Sequence, residues 1–339
     1  MKAMLLAAGL GTRLRPFTFL LPKPMIPVLN RPLIGWIVEH AMAAGVRDFI
    51  VNLHHFPEAI EGYLPAAFPD ATFAFSHEQD LLGTGGGVRK VRALLDAEDD
   101  FFLANGDTIQ RPPFAELLAA RRATNALAAL TLRHPPAGDR YTAVWFDGGR
   151  ITGFGSAPGN GPGNAPVNGA GEALMFSGSH CISRRLFALL PDRPVSELVS
   201  DVYAPSVSNG TDTLAGVAFD DPFWFDIGTP QRYLGATRNL LGDESRIDTT
   251  ATVTGNLTRS VVGARSVVGG TLHDSVVWDD SRIAAGVSLT HCIVGHGVEL
   301  AAGHYANAMI CKDDPDIPLQ YARENGYVVS PFQTASALH

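Results

Sequence analysis

Residues 3–28 read AMLLAAGLGTRLRPFTFLLPKPMIPV, and this string decides the fold. The apolar run 3–8 reads as a buried first strand, and GLGTRL follows it as a turn. A glycine-rich turn directly after a strand lets backbone amides approach phosphate oxygens, and a helix N-terminus there adds a favourable dipole. The dinucleotide fingerprint is excluded, because Gly9 and Gly11 match its first two glycines but Leu14 stands where the third is needed. A P-loop is excluded too, since no Gly-Lys-Ser/Thr follows. Instead Arg13 sits in the turn, and Lys23 lies between Pro22 and Pro24, which stiffen the backbone that presents it. The same start has the outline of a signal peptide. Its apolar run is only about eight residues, Arg13 follows closely and no polar cleavage region comes after, so a first strand is the better reading.

Working outward, LIGWIVEHAMAA (33–44) has helical spacing and stops at Gly45. DFIVNL, TFAFSHE, DFFLANGD and ALAALTLRH read as strands; EAIEGYL, VRKVRALLDAE and FAELLAARRA read as helices. This alternation predicts a mostly parallel, Rossmann-like α/β sheet covered on both faces. Ligands of such sheets sit beyond the C-terminal ends of the strands, where GLGTR and NGD would share a crevice. Residues 155–171, GSAPGNGPGNAPVNGAG, read as a loop within this domain, either plainly solvated or acting as a lid.

After Leu241 the texture changes. SVV, SVV and CIV begin at Ser260, Ser275 and Cys292, and aliphatic residues recur six apart: Ile247 and Val253; Val262 and Val268; Val277, Ile283 and Leu289; Val294 and Leu300. A six-residue period predicts a β-solenoid whose coils have three short faces, whereas a β-sandwich would alternate with period two. The expected organisation is an α/β domain over 1–241, a short parallel β-helix over 242–311, and a C-terminal helix (PLQYARENG) with a tail over 312–339.

Composition narrows the function. The 339 residues carry a net charge of −8, which argues against broad electrostatic binding of nucleic acid. No stretch reaches the length of a membrane span, so no membrane partner is expected. Three scattered cysteines suit neither a disulfide framework nor a zinc cluster, and a reducing cytoplasm fits them. The eleven histidines show no metal-binding spacing along the chain. Only four lysines occur, so Lys23 in a site-like setting stands out.

Three further stretches carry chemistry. HEQDLLGTGGGVRK (77–90) places a glycine run at the opening of a helix, where no side chain obstructs a flat ligand. ANGDT (104–108) puts Asp107 at the end of a buried strand, and FWFDIGTPQRYL (223–234) puts Asp226 before a Gly-Thr-Pro turn. Two carboxylates from distant parts of the chain can together hold Mg²⁺, which prefers hard oxygen ligands.

The string at 9–28 closely resembles the signature of the sugar-1-phosphate nucleotidyltransferases, or NDP-sugar pyrophosphorylases: Gly-x-Gly-x-Arg, Pro-x-Thr, Pro-Lys-Pro. The resemblance extends over most of the chain, and the solenoid looks like the left-handed β-helix that many members carry. It implies that Leu6, Ala8, Gly9, Gly11, Thr12 and Arg13 hold nucleotide, with Arg13 on the β- and γ-phosphates. Lys23 would neutralise the phosphate at the reacting centre. Glu78, Gly83, Thr84 and Gly85 would meet the base and ribose. Asn105, Tyr141, Glu172 and Gly178 would join Lys23 around the sugar phosphate, although Glu172 reads equally as a solvated loop residue. Asp107 and Asp226 would hold Mg²⁺.

The chain also departs from the family pattern. Where Glu-Lys-Pro is usual, residues 154–158 read FGSAP; Tyr141-Thr142 replaces Tyr-Gly; and the triple glycine is that of N-acetylmuramate-1-phosphate uridylyltransferases. Phosphate recognition would then lean on Lys23, the metal or an Arg such as Arg140. The resemblance implies transfer of a nucleotidyl group from an NTP to a sugar 1-phosphate, with GTP and mannose 1-phosphate the best match because a full solenoid suits guanylyltransferases. UTP with an N-acetylated amino sugar 1-phosphate is the alternative pair, and a catalytically silent nucleotide-sugar sensor is the alternative class. A homo-oligomer through the β-helix is expected. Acyl transfer by the solenoid is disfavoured, because His273, His291, His296 and His304 have no evident partner in the sequence.

Overall fold

The computed structural model describes residues 1–136, 141–155 and 170–333. Arg140, most of the glycine-rich loop 155–171 and the tail from 334 onward lie outside the described residues. The chain divides into two compact units, and the division does not follow chain order. One comprises Met1–Gly9 and Ile34–Trp224; the other comprises Leu10–Leu33 and Phe225–His339.

The first unit is built on a nine-stranded sheet. Its strands run in the order Thr72–His77, Asp48–Leu53, Lys2–Leu6, Asp100–Asn105, Glu172–Ser183, Ala128–Arg133, Leu214–Ala218, Arg150–Gly155 and Ala143–Asp147. The early strands are parallel, as their alternation with helices requires: Lys2–Leu6 lies between Asp48–Leu53 and Asp100–Asn105. The long strand Glu172–Ser183 enters antiparallel between Asp100–Asn105 and Ala128–Arg133, so the sheet is mixed. Met4, Ile50, Leu103, Leu130 and Ile182 are essentially excluded from solvent and join one apolar core with Val88, Leu95, Val202 and Tyr203. Such near-continuous apolar strands are the mark of a sheet buried on both faces.

In the second unit, after the helix Pro230–Leu241, short strands form three parallel ladders. Arg246–Ile247, Val261–Val262, Val276–Val277, Ile293–Val294 and Ala308–Lys312 form one face. Two four-stranded ladders form the others, starting at Thr252–Val253 and Asn256–Thr258. This is a parallel β-helix. Val262, Val268, Leu272, Val277, Ile283, Leu289 and Val294 stack inward as its core, so the aliphatic pattern points where the period predicts. The period itself is imperfect. Leu257, Leu272 and Leu289 fill the third face and sit four to six residues after their predecessors. Two corner columns hold the coils in register: the Ser275 amide donates to Ser260 Oγ at 3.1 Å, and Cys292 to Ser275 Oγ at 3.0 Å. The parallel column runs from Ser281 to Ser266 at 3.1 Å.

The helix expected over PLQYARENG does not form. Arg323–Glu324 pairs antiparallel with Tyr327–Pro331, which in turn pairs with Ala308–Lys312. The turn between them is Asn325-Gly326, both at positive φ (51° and 83°). Asn-Gly between strands is the strongest short-range hairpin signal, because both residues tolerate the left-handed region that a type I′ turn demands.

Candidate active site

The two units carry separate groups of the candidate residues. In the second unit, the turn after the first strand places Gly11 at φ 59°, ψ 33°. A Cβ there would lie 2.9 Å from Lys23 Cβ and 3.0 Å from Thr18 Cγ2, while Thr18 Oγ1 donates to the Gly11 carbonyl at 3.0 Å. Glycine is therefore required both by backbone conformation and by the close approach of Lys23. Lys23 opens a short 3-10 turn behind an extended Pro22 and is 7% exposed. Its ammonium lies 3.9 Å from Asp226 Oδ1, and Arg232 pairs with the other oxygen of the same carboxylate. The Arg13 guanidinium packs over Gly228, where a Cβ would come within 2.7 Å of Arg13 Nη2 and 3.0 Å of Asp226 Oδ1. Arg13, Lys23 and Asp226 thus meet. Arg232 joins them unannounced.

In this setting Gly11→Ala is expected to cost about 1–2 kcal/mol through its left-handed backbone alone. Because the new methyl would also push on Lys23, turnover should fall in a protein whose circular dichroism is unchanged. Wild-type turnover in the folded variant would contradict the packing described.

The first unit carries the rest. The strand ends at Leu6 and Asn105 are adjacent, and the Gly106 amide donates to the Leu6 carbonyl at 2.9 Å. Asp107 follows on the same turn, with Ala8 and Gly9 leaving the neighbouring strand. Gly178, at φ 102°, passes so close to Asn105 that a Cβ would lie 2.5 Å from its side-chain nitrogen. Tyr141 meets the Trp224 ring edge-on at 6.5 Å, and the Trp224 indole donates to the Ser177 carbonyl at 3.1 Å. Glu172 is not a plain solvated loop residue: it begins a strand, and His134 contacts it at 2.8 Å through Nε2 while pairing with Asp220 through Nδ1. Hydrogen bonds to Asp220 first, then Glu172, raise the His134 pKa, so this exposed imidazole bridges two carboxylates.

At the glycine run the residues are tied into the surrounding fold. Glu78 is 4% exposed, and its carboxylate accepts from Asn52 Nδ2 at 2.8 Å and the Leu82 amide at 3.0 Å. Asn52 Oδ1 in turn accepts from the Ala7 amide at 2.8 Å. Glu78 therefore acts as a buried strut running from the start of the glycine turn to the glycine-opened helix Gly83–Lys90. The amides of Gly85 and Gly86 both donate to Ser196 O, at 2.8 and 3.2 Å, and Thr84 donates to Glu197 through both its amide and its hydroxyl. A Cβ at Gly86 would lie 2.2 Å from the Pro194 carbonyl. Gly85 and Gly86 serve this close approach of backbone, and Gly87 leaves room for the Glu78 and Asn52 side chains. Asn52 was missed in the sequence, where its signal was a lone polar residue within the apolar strand DFIVNL.

The chain belongs to the nucleotidyl transferase family, whose model matches residues 2–242. It is an enzyme of nucleotidyl transfer, and its solenoid lies beyond the matched region. Among similar proteins, "Probable mannose-1-phosphate guanylyltransferase 2" of Oryza sativa subsp. japonica is 27% identical over 313 residues, covering 88% of this chain and 82% of that one. The "Mannose-1-phosphate guanyltransferase" of Yarrowia lipolytica is 30% identical over 257 residues, covering 73% of this chain and 66% of its own. The crystal structure of HddC from Yersinia pseudotuberculosis complexed with GMP-PN shares the fold: TM-score 0.56 at 20% identity, covering 70% of this chain and 99% of that one. No helix of the described residues is long and apolar enough to cross a membrane.

Proposed function

We propose that this enzyme joins GTP to mannose 1-phosphate, giving GDP-mannose and pyrophosphate in the cytoplasm. The observation that carries the reading is the meeting of Arg13, Lys23 and Asp226 around one glycine turn, in a chain whose similar proteins include mannose-1-phosphate guanylyltransferases. The sugar phosphate oxygen attacks the α-phosphorus in line, and pyrophosphate leaves opposite. A phosphate dianion is already nucleophilic, so no protein nucleophile or general base is required. Arg13 draws the β- and γ-phosphates into place, and Lys23, on its stiff Pro-flanked segment, neutralises charge on the phosphate at the reacting centre. Leu6, Ala8, Gly9, Gly11 and Thr12 offer backbone to the nucleotide, and Gly83, Thr84 and Gly85 border its base and ribose. Asn105, Tyr141, Glu172 and Gly178 form the sugar side. Asp107 and Asp226 would supply the hard oxygen donors that suit Mg²⁺, with Arg232 beside Asp226 orienting its carboxylate. Bound Mg²⁺ would offset phosphate charge and orient the triphosphate. The β-helix would join copies of the chain into a homo-oligomer.

Asp107→Asn and Asp226→Asn should each raise the Mg²⁺ concentration needed for half-maximal rate, and unchanged Mg²⁺ titrations would remove them as ligands. For the substrates, kcat/KM for GTP with mannose 1-phosphate should exceed that for UTP with an N-acetylated amino sugar 1-phosphate. The reverse order would overturn the pairing.

A further inference from the structure

A second cluster of chemistry-bearing side chains lies on the β-helix of the second unit and shares no residue with the Arg13–Lys23–Asp226 group. His273 and Asp274 stand at one corner, and His291 at the same corner of the next coil. Asp274 and His291 both take the left-handed conformation (φ 46° and 51°), and the His291 amide donates to the His273 carbonyl at 3.0 Å. Coil stacking therefore brings together residues seventeen positions apart, a spacing absent from linear metal motifs. Asp274 Oδ2 lies 3.0 Å from His273 Nδ1 and 3.5 Å from His291 Nε2, and the three ligand atoms all lie within 4.8 Å of one another. Ligands about 2.0–2.2 Å from a tetrahedral metal stand about 3.3–3.5 Å apart, so two of the three edges are nearly in place.

Two other features favour a metal. His273 Nδ1 is buried and has no hydrogen-bond partner among the described residues, despite its proximity to Asp274. Arg259 orients Asp274 through Nε to Oδ1 at 2.7 Å and Nη2 to Oδ2 at 2.8 Å, its Nη2 also lies 3.4 Å from His273 Nε2, and its charge counts against a cation. A cavity of about 320 Å³ opens beside Asp274 and His291, between them and the helix residues Leu234 and Arg238, leaving room for a further ligand. Two imidazoles and one carboxylate are wrong for Mg²⁺ and right for the imidazole-preferring divalent ions, of which Zn²⁺ is the commonest.

We propose that His273, Asp274 and His291 form a Zn²⁺ site that ties two successive coils of the β-helix together. The site is separate from the magnesium-dependent chemistry. The nearby cations Arg259 and Arg238 oppose the metal, and Asp243 beside Arg259 offsets part of their charge. Cysteines do not compete, since all three are buried and burial raises each thiol pKa, to about 11 for Cys292 and about 12 for Cys181 and Cys311.

The test is a Co²⁺ titration of the full-length chain, first stripped by a chelator and then held in excess Mg²⁺. The visible absorption of the ion is followed, and Zn²⁺ competes it away. One Co²⁺ per chain is expected. Affinity should fall by at least about 10–100-fold in His273→Ala and in His291→Asn, the latter chosen because Asn tolerates the left-handed corner. Thermal melts of the metal-free variants should match wild type, while Zn²⁺ should raise the melting temperature of wild type only. Arg238→Gln, at an exposed position whose charge acts on Asp274, should tighten binding several-fold. Absence of stoichiometric binding, or undiminished binding in both histidine variants, would overturn the proposal. So would loss of the Co²⁺ signal in Asp226→Asn, which would place the ion at the catalytic carboxylate instead.

Discussion

Lys23→Ala is expected to lower turnover by about 10²–10³, the cost of removing one preorganised electrostatic donor. Lys23 is buried to 7% exposure and backed by Gly11, so its ammonium is held where its charge is poorly screened. Arg232 still pairs with the Asp226 carboxylate when Lys23 is removed, and circular dichroism of the variant checks that it folds. KM for the NTP should change less than kcat, since the charge that Lys23 meets develops at the reacting centre. Steady-state pyrophosphate release measures both constants. Near-normal kcat would remove Lys23 from the role assigned here.

Asp100→Ala should produce the largest loss of stability, about 3–5 kcal/mol, by leaving a buried arginine uncompensated. Asp100 begins the strand whose far end carries Asn105 and leads into Asp107. Its carboxylate side chain is 1% exposed and pairs with Arg121 at 2.6 Å and Arg122 at 2.8 Å, both on the helix Phe114–Ala123. Arg122 is largely exposed and can return to water, whereas the Arg121 side chain is 10% exposed and cannot. Replacing Arg121 by methionine as well should therefore recover much of the loss. Urea unfolding of the single and double variants checks this. A single-variant cost below about 1 kcal/mol, the range of exposed pairs, would show that the pair behaves as a surface one.

Much of this architecture is legible in sequence because local patterns carry it. The strand and turn at 3–14 and the paired valines of the β-helix each follow from a short period or spacing. What escapes is what depends on distant partners. Nothing local says that Glu172–Ser183 will slot antiparallel between two strands far earlier in the chain. Asn325-Gly326 is a local signal, but helical spacing in the preceding residues obscured it. Arg13, Lys23 and Asp226 stand out in the sequence because their motifs are compact. Arg232 looks like any helical arginine until the fold turns it toward Asp226. That Asn52 engages Glu78 and Ser196 engages Gly85 also depends on distant partners, which a sequence does not reveal. The pairing of His273 with His291 exists only because one coil sets its residues directly above the last.

The most direct test of the account is to incubate the enzyme with Mg²⁺ across a grid of NTPs and sugar 1-phosphates, measuring pyrophosphate and the nucleotide sugar together. Equimolar pyrophosphate and GDP-mannose are expected from GTP and mannose 1-phosphate, with product lost when Mg²⁺ is chelated. Absence of product from every pair, in a folded protein that still binds nucleotide, would contradict it and identify the chain as a nucleotide-sugar sensor.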